Sequence, residues 1–149
     1  MVAITVEVKI ASPIKLVWEV IADIQSHTNW MADAETIRIT SETTEGIGTS
    51  FDCNTKIGPL RTTDRMVITK WEPESTMGVR HEGLVTGEGF FTLISKSTDE
   101  TIFAWKEHLI FPWWLGGPIT GFISKPILQS LWKKNLERLK IQIESFSHN

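Results

Sequence analysis

One cysteine, no tyrosine and no long apolar run set this 149-residue sequence apart before any pattern is sought in it. A lone thiol, Cys53, can form no internal disulfide and no cysteine metal cage, so a disulfide scaffold is excluded and a reducing, cytoplasmic setting is expected. No stretch approaches the ~20 apolar residues that cross a bilayer, and the first ten residues alternate instead of forming the continuous apolar core of a secretion signal. Membrane contact, if it occurs, is then peripheral and transient. Cationic charge is also scarce: 15 Lys and Arg stand against 18 Asp and Glu, scattered along the chain. No basic stripe exists to neutralise a phosphate backbone, so nucleic acid is not an expected partner.

Catalytic and cofactor signatures are equally thin. His27, His81, His108 and His148 are far apart, with no H-x-x-x-H spacing and no companion carboxylate motif, so no metal is expected. There is no G-x-S-x-G elbow and no activated-cysteine signature. Gly46-Ile47-Gly48 and Gly87-Glu88-Gly89 have strands on both sides and lack the strand-turn-helix setting of a phosphate loop. They read as bends, and no cofactor is implied.

What is abundant is large rings: seven Trp and seven Phe. The length suits one domain spanning residues 1–149, large enough to bury a core without staples. Ile4, Val6, Val8 and Ile10 alternate with polar residues, the period of a strand with one buried face. Ser12-Pro13 then suits a helix start, with Ser12 as cap, and Ile14, Val17, Trp18 and Ile21 recur at helical spacing to Ala22. Asp23 caps a second, shorter helical stretch ending near Trp30 and Met31. Six strand-like segments follow, 36–43, 48–56, 61–71, 77–81, 88–96 and 101–111, separated by turns short enough for antiparallel hairpins. Residues 112–118, with two prolines and a glycine pair, read as a loop. From Pro126 onward Leu128, Trp132, Leu136, Leu139, Ile143 and Phe146 fall within an arc of about 80° on a helical wheel, one buried stripe. Ile119, Ile123 and Ile127 lie on the opposite side of that wheel, and Pro126 interrupts the run. The spacing predicts a separate short helix over 119–125 leaning on the sheet from another angle.

Segregated helices and an antiparallel meander define the α+β class. A helix about 10 Å wide cannot cover seven strands, so the sheet must curl around it, and leftover space becomes a cavity. Ala11-Ser12-Pro13 with Leu16 to Val20, the 23–30 segment, Gly46-Ile47-Gly48, Trp71-Glu72-Pro73, Thr101 to Trp105 and Asn135 to Lys140 occur in an order that resembles the START-like (SRPBCC) helix-grip superfamily. The likeness is to its polyketide cyclase/dehydrase and lipid-transport branch, and it spans Val6 to about Glu144. It implies a curved seven-stranded antiparallel sheet around a long C-terminal helix, with two short helices between strands 1 and 2. It does not imply one chemistry, because such domains include carriers, aromatase/cyclases and receptors. In the cyclases an aromatic, a serine and an arginine line the pocket on one strand. Their places here look occupied by Met66, Ile68 and Lys70, two of them aliphatic, which weakens the implication of cyclase activity.

Alternation and resemblance together put Phe51, Cys53, Met66 and Ile68 on the cavity face, and with them Phe91, Leu93, Trp105 and Glu107. Leu128, Leu131 and Trp132 face them from the helix, and Trp30 covers the chain reversal. For the apolar members plain core packing is an equal reading, since wall and core differ only in whether space remains. Glu107 is the sharpest candidate: a carboxylate on a strand face shared with Phe103 and Trp105 needs a partner or a raised pKa if buried. Its alternatives are a solvated strand end or a pair with Arg65. Of Asp64 and Arg65 one points inward, and the sequence does not say which. His81 reads more readily as an exposed strand position than as a ligand donor, and His27 as core or lid. Trp113 and Trp114, beside Gly116-Gly117, have three readings: a lid, an interfacial anchor, or rings packed on the 119–127 segment. The expected function is binding or transport of a small hydrophobic molecule, whether lipid, polyketide or aromatic metabolite. A cyclase/dehydrase-type enzyme using Glu107 is the alternative, and a groove for a partner's apolar segment is a third. Oligomeric state is not legible.

Overall fold

Alternation dictates the first element. In the computed structural model, which describes residues 2–147, strand β1 (Val2–Ile10) buries every second side chain. Helix α1 (Ile14–Ala22) buries Val17, Trp18 and Ile21, and a 3-10 helix covers Ile24–Asn29. The strands that follow are β2 (Ala34–Ile39), β3 (Ser50–Ile57), β4 (Leu60–Glu72), β5 (Thr76–Glu82), β6 (Thr86–Ser97) and β7 (Glu100–Ile110). Helix α2 (Gly117–Ser147) ends the described chain; His148 lies outside it. All pairings are antiparallel, in the order β1-β7-β6-β5-β4-β3-β2. Register shifts in β2, β4 and β6 mark irregularities of the kind that bend a sheet.

The position of α2 follows from the free edge of β1. That edge strand pairs only with β7 and would otherwise offer bare carbonyls to any passing strand. Instead Gln129 Nε2 donates to the Thr5 carbonyl at 3.4 Å and Lys140 Nζ to that of Lys9 at 2.9 Å, while Lys133 donates to Glu7. Glu144 Oε1 accepts from the Ala11 amide at 2.9 Å. Gly121 permits the close approach at the helix start, because a Cβ there would collide with Val2. Leu128, Trp132, Leu136, Leu139 and Ile143 form the buried stripe.

Four local expectations are corrected. The helix is continuous through Pro126, which is exposed, so its ring points outward and the missing hydrogen bond lies on the solvent side. Ile119 and Ile123 therefore stay on the outer face, and Ile127, more than half exposed, sits at its border with the cavity. Phe146 is half exposed, because the helix has by then run past the strands that would cover it. The cap of α1 is Pro13, with no side-chain cap bond, while Ser12 is buried and its carbonyl accepts from Thr101 Oγ1 at 2.8 Å. Residues 40–43 lie outside β2, in a loop where Gly46 and Gly48 take φ of 89° and 93°. Pro126→Ala restores an amide able to donate to the Phe122 carbonyl, and should raise stability by about 1–2 kcal/mol, the helix-interior proline penalty less its unfolded-state benefit. A denaturation midpoint unmoved by that substitution would mean the missing hydrogen bond costs nothing at this solvent-facing position.

Candidate functional site

Because α2 sits over β1, the inner faces of β3–β6 are left partly uncovered, and a cavity of about 330 Å³ remains between them and the N-terminal half of α2. Alternating positions supply its wall: Phe51 and Cys53 from β3, Met66 and Ile68 from β4, Phe91 from β6, Trp105 and Glu107 from β7, and Leu128 and Trp132 from α2. The same alternation continues to Thr55 and Ile57, Met77, Val79 and His81, and Leu109, which also line it. Trp105 stacks on Trp132 at 4.7 Å between ring centroids, tying the sheet to the helix at one end of the cavity.

Five of the ligand-site candidates named from sequence do not line this cavity. Trp30 is buried in an aromatic cluster with His27, Phe91, Phe103 and Trp105, at centroid distances of 5.3–6.4 Å, so its ring is core and not wall. Leu93 is buried opposite Phe103, one step beyond Phe91 along β6, where the sheet has closed on the core. Leu131 is half-buried on the flank of the helical stripe. Trp113 and Trp114 form a short 3-10 turn with indoles 87% and 61% exposed, so they neither pack inside nor close the cavity.

The titratable groups Glu107, His81 and Asp64 cluster on this wall. Glu107 is buried; its Oε1 accepts from Trp105 Nε1 at 2.9 Å, and its Oε2 pairs with His81 Nε2 at 2.8 Å. His81 is on β5 and Glu107 on β7, roughly 10 Å apart across β6, twice the ~4.8 Å strand spacing. They meet because the intervening β6 positions are glycines: Gly87 is opposite His81, and Gly89 is opposite Glu107. A Cβ on Gly89 would strike the carboxylate. Mid-strand glycine is the sequence signal for such a close approach, and it was available in Gly87-Glu88-Gly89. Asp64, the inward member of its pair with Arg65, receives a weak hydrogen bond from Thr55 Oγ1 at 3.4 Å, and its Oδ1 is buried without a partner among the described residues. Arg65 faces out to Asp52 at 3.4 Å.

Electrostatics follow from this packing. Burial opposes the His81 imidazolium, but the Glu107 hydrogen bond and charge, with Asp64 adding to them, outweigh it and raise the pKa above 6.5. Burial raises the Asp64 carboxyl above its ordinary value, against the pull of His81 and Thr55. Burial also pushes the Cys53 thiol up to about 11, which makes it a poor nucleophile at neutral pH. His27 is buried against the Ile21 carbonyl at 2.7 Å and its pKa falls to about 4, so it is a neutral donor. No group of three or more metal-ligating side chains occurs among the described residues.

Residues 1–144 match the family model described as polyketide cyclase / dehydrase and lipid transport. The chain belongs to that family. Solved structures share the fold of this polyketide cyclase/dehydrase and lipid transport member at low identity. TTHA0849 from Thermus thermophilus is 16% identical with a TM-score of 0.77, covering 97% of this chain and 99% of that one. Zhui aromatase/cyclase from a Streptomyces species is 16% identical with a TM-score of 0.70 over 95% and 93%. A START superfamily protein from Mycobacterium smegmatis is 12% identical with a TM-score of 0.71 over 97% and 98%. The family member thus has the START-like, helix-grip fold. No curated protein matches it in sequence. No described helix is long and apolar enough to cross a membrane. Of the three pocket positions resembling the cyclases, Met66 and Ile68 line the cavity, whereas Lys70 is exposed beside Glu72 at 3.7 Å.

Proposed function

We propose that the chain, as a single ligand-binding domain over residues 1–149, binds or carries a small hydrophobic molecule in the cavity between sheet and α2. The observation that carries this reading is a void of about 330 Å³ whose wall is mostly apolar and into which the hydrogen-bonded His81–Glu107 pair is set. That volume is at the small end of the ~300–1,000 Å³ range of small-molecule sites, which favours a compact metabolite over a two-chain lipid. Apolar contacts from Met66, Ile68, Phe51 and Leu128 supply affinity, and the His81–Glu107 end fixes orientation. The single buried thiol suits a reducing, cytoplasmic setting. Native mass spectrometry of the purified protein, followed by organic extraction, should reveal a retained small molecule, or uptake of an added apolar one at one per chain. Failure to retain or take up any of a panel of apolar compounds counts against the reading.

A second reading, a cyclase/dehydrase-type enzyme, draws on one specific feature. Glu107 is held by Trp105 and in turn orients the imidazole of His81, the arrangement in which a carboxylate tunes a general acid or base. Glu107→Gln separates the two: carriage of a neutral ligand should survive it within a few-fold, whereas proton transfer through His81 should not.

A further inference from the structure

We propose that the start of α2 and the 3-10 turn before it form a docking face for an anionic lipid bilayer, beside the mouth of the cavity. Trp113 is 87% exposed, and Trp114, Ile119, Phe122, Ile123 and Ile127 are each more than half exposed. On a helical wheel the four helical members span about 140°, away from the buried stripe. Contiguous exposed apolar side chains of this size mark an interaction surface, since water gains nothing by contact with them.

Charge selects the occupant. Between Glu107 and Glu137 the chain has no acidic residue, yet it places Lys125, Lys133 and Lys134 there, in a molecule of net charge −3. Lys134 is on the same helix face about 10 Å beyond Ile127, and Lys125 on its flank, by the 1.5 Å rise and 100° turn per residue. A second copy docking through this face would oppose lysine to lysine. An anionic bilayer meets both halves of the pattern: phosphates take the lysines, indoles settle at headgroup depth, and Phe122 and the isoleucines enter the acyl boundary. Position adds a second argument. Thr120, Ser124 and Ile127 line the cavity from this same segment, and Ile127 belongs to both surfaces. Leu60, also lining the cavity, is 57% exposed at the β3–β4 turn, with Lys56 and Arg61 exposed near it. An apolar molecule could therefore pass between bilayer and cavity without crossing open water.

The test is co-sedimentation of the full chain with phosphatidylcholine vesicles, with and without phosphatidylglycerol. Partition is expected only with the anionic lipid and should weaken at raised salt. Lys125→Glu with Lys134→Glu should reduce it by at least about 30-fold, roughly fivefold per lysine removed; Trp113→Ser with Phe122→Ser should abolish it. Circular dichroism and uptake of an apolar probe by the cavity should be unchanged in both variants, so loss of docking is distinguishable from loss of the fold or of ligand binding. The proposal is overturned if anionic vesicles do not sediment the protein, or if either double variant sediments as well as wild type. It is equally overturned if the wild type proves to be a dimer that Phe122→Ser dissociates.

Discussion

Glu107→Gln will abolish the alkaline fall in stability that the His81–Glu107 pair imposes, and will steepen the acid fall. The folded-state pKa of His81 is raised above 6.5 by Glu107. Its contribution is therefore complete below 6.5 and lost as pH rises through the folded value. With a neutral amide at position 107, burial, the largest influence on His81, faces only the Asp64 charge. The folded pKa then drops, and the sign reverses: stability is lost as the pH falls. His27 acts in this second sense already. Its folded value of about 4 lies below the ordinary 6.5, so stability declines from about pH 6.5 to 4, by about 3 kcal/mol in all at 1.36 kcal/mol per unit. Asp64, raised by burial, returns part of that loss as it protonates. At pH 6 the variant should also be about 2 kcal/mol less stable, from the lost charge-assisted bond in a buried site. Denaturation midpoints across pH 4–9, with the His81 ring resonance followed by NMR, measure both effects. An alkaline limb retained in the variant would show that Glu107 is not what holds the proton on His81.

Cys53→Phe should abolish ligand uptake while leaving the protein folded. Cys53 is a wall residue whose sulfur lies 3.7 Å from Thr55 Oγ1. A ring placed there projects into existing space, so overpacking is not expected to unfold the domain. It displaces several ligand carbons, each worth about 0.8 kcal/mol of burial, so affinity should fall on the order of a hundredfold or more. The control is Ile94→Phe on the opposite face of the sheet, where the side chain is 61% exposed and uptake should not change. Equal uptake by all three proteins would place the ligand outside this cavity.

The sheet and the buried stripe were legible in sequence because they rest on periodicity. Ile4 to Ile10 and Leu128 to Ile143 carry it in consecutive side chains, and no distant contact competes with it. Pro126 misled for a physical reason: a proline breaks a helix only if the bend it demands cannot be absorbed, and on the solvent face it can. Trp113 and Trp114 misled through composition, since large apolar rings favour burial on average, yet here no described element covers them. Alternation, with the family resemblance, placed Phe51, Cys53, Met66, Ile68 and Glu107 on the cavity's side of the sheet. It could not say that Leu93 meets Phe103 where Phe91 meets space, because residual volume depends on where α2 lies over β1. The polar cluster was half legible. Glu107 stood out by itself, but its partner His81 is two strands away, and the glycines that let them touch signal proximity without naming what approaches.

Under the proposed function, the gap between α2 and β3–β6 admits one small apolar molecule. Titration with a neutral fluorescent naphthylamine, monitored by energy transfer from Trp105 and Trp132 at the cavity wall, tests it most directly. Saturation at one probe per chain in the wild type, lost in Cys53→Phe, is the predicted result; a signal that rises linearly without saturating, alike in both proteins, would contradict it.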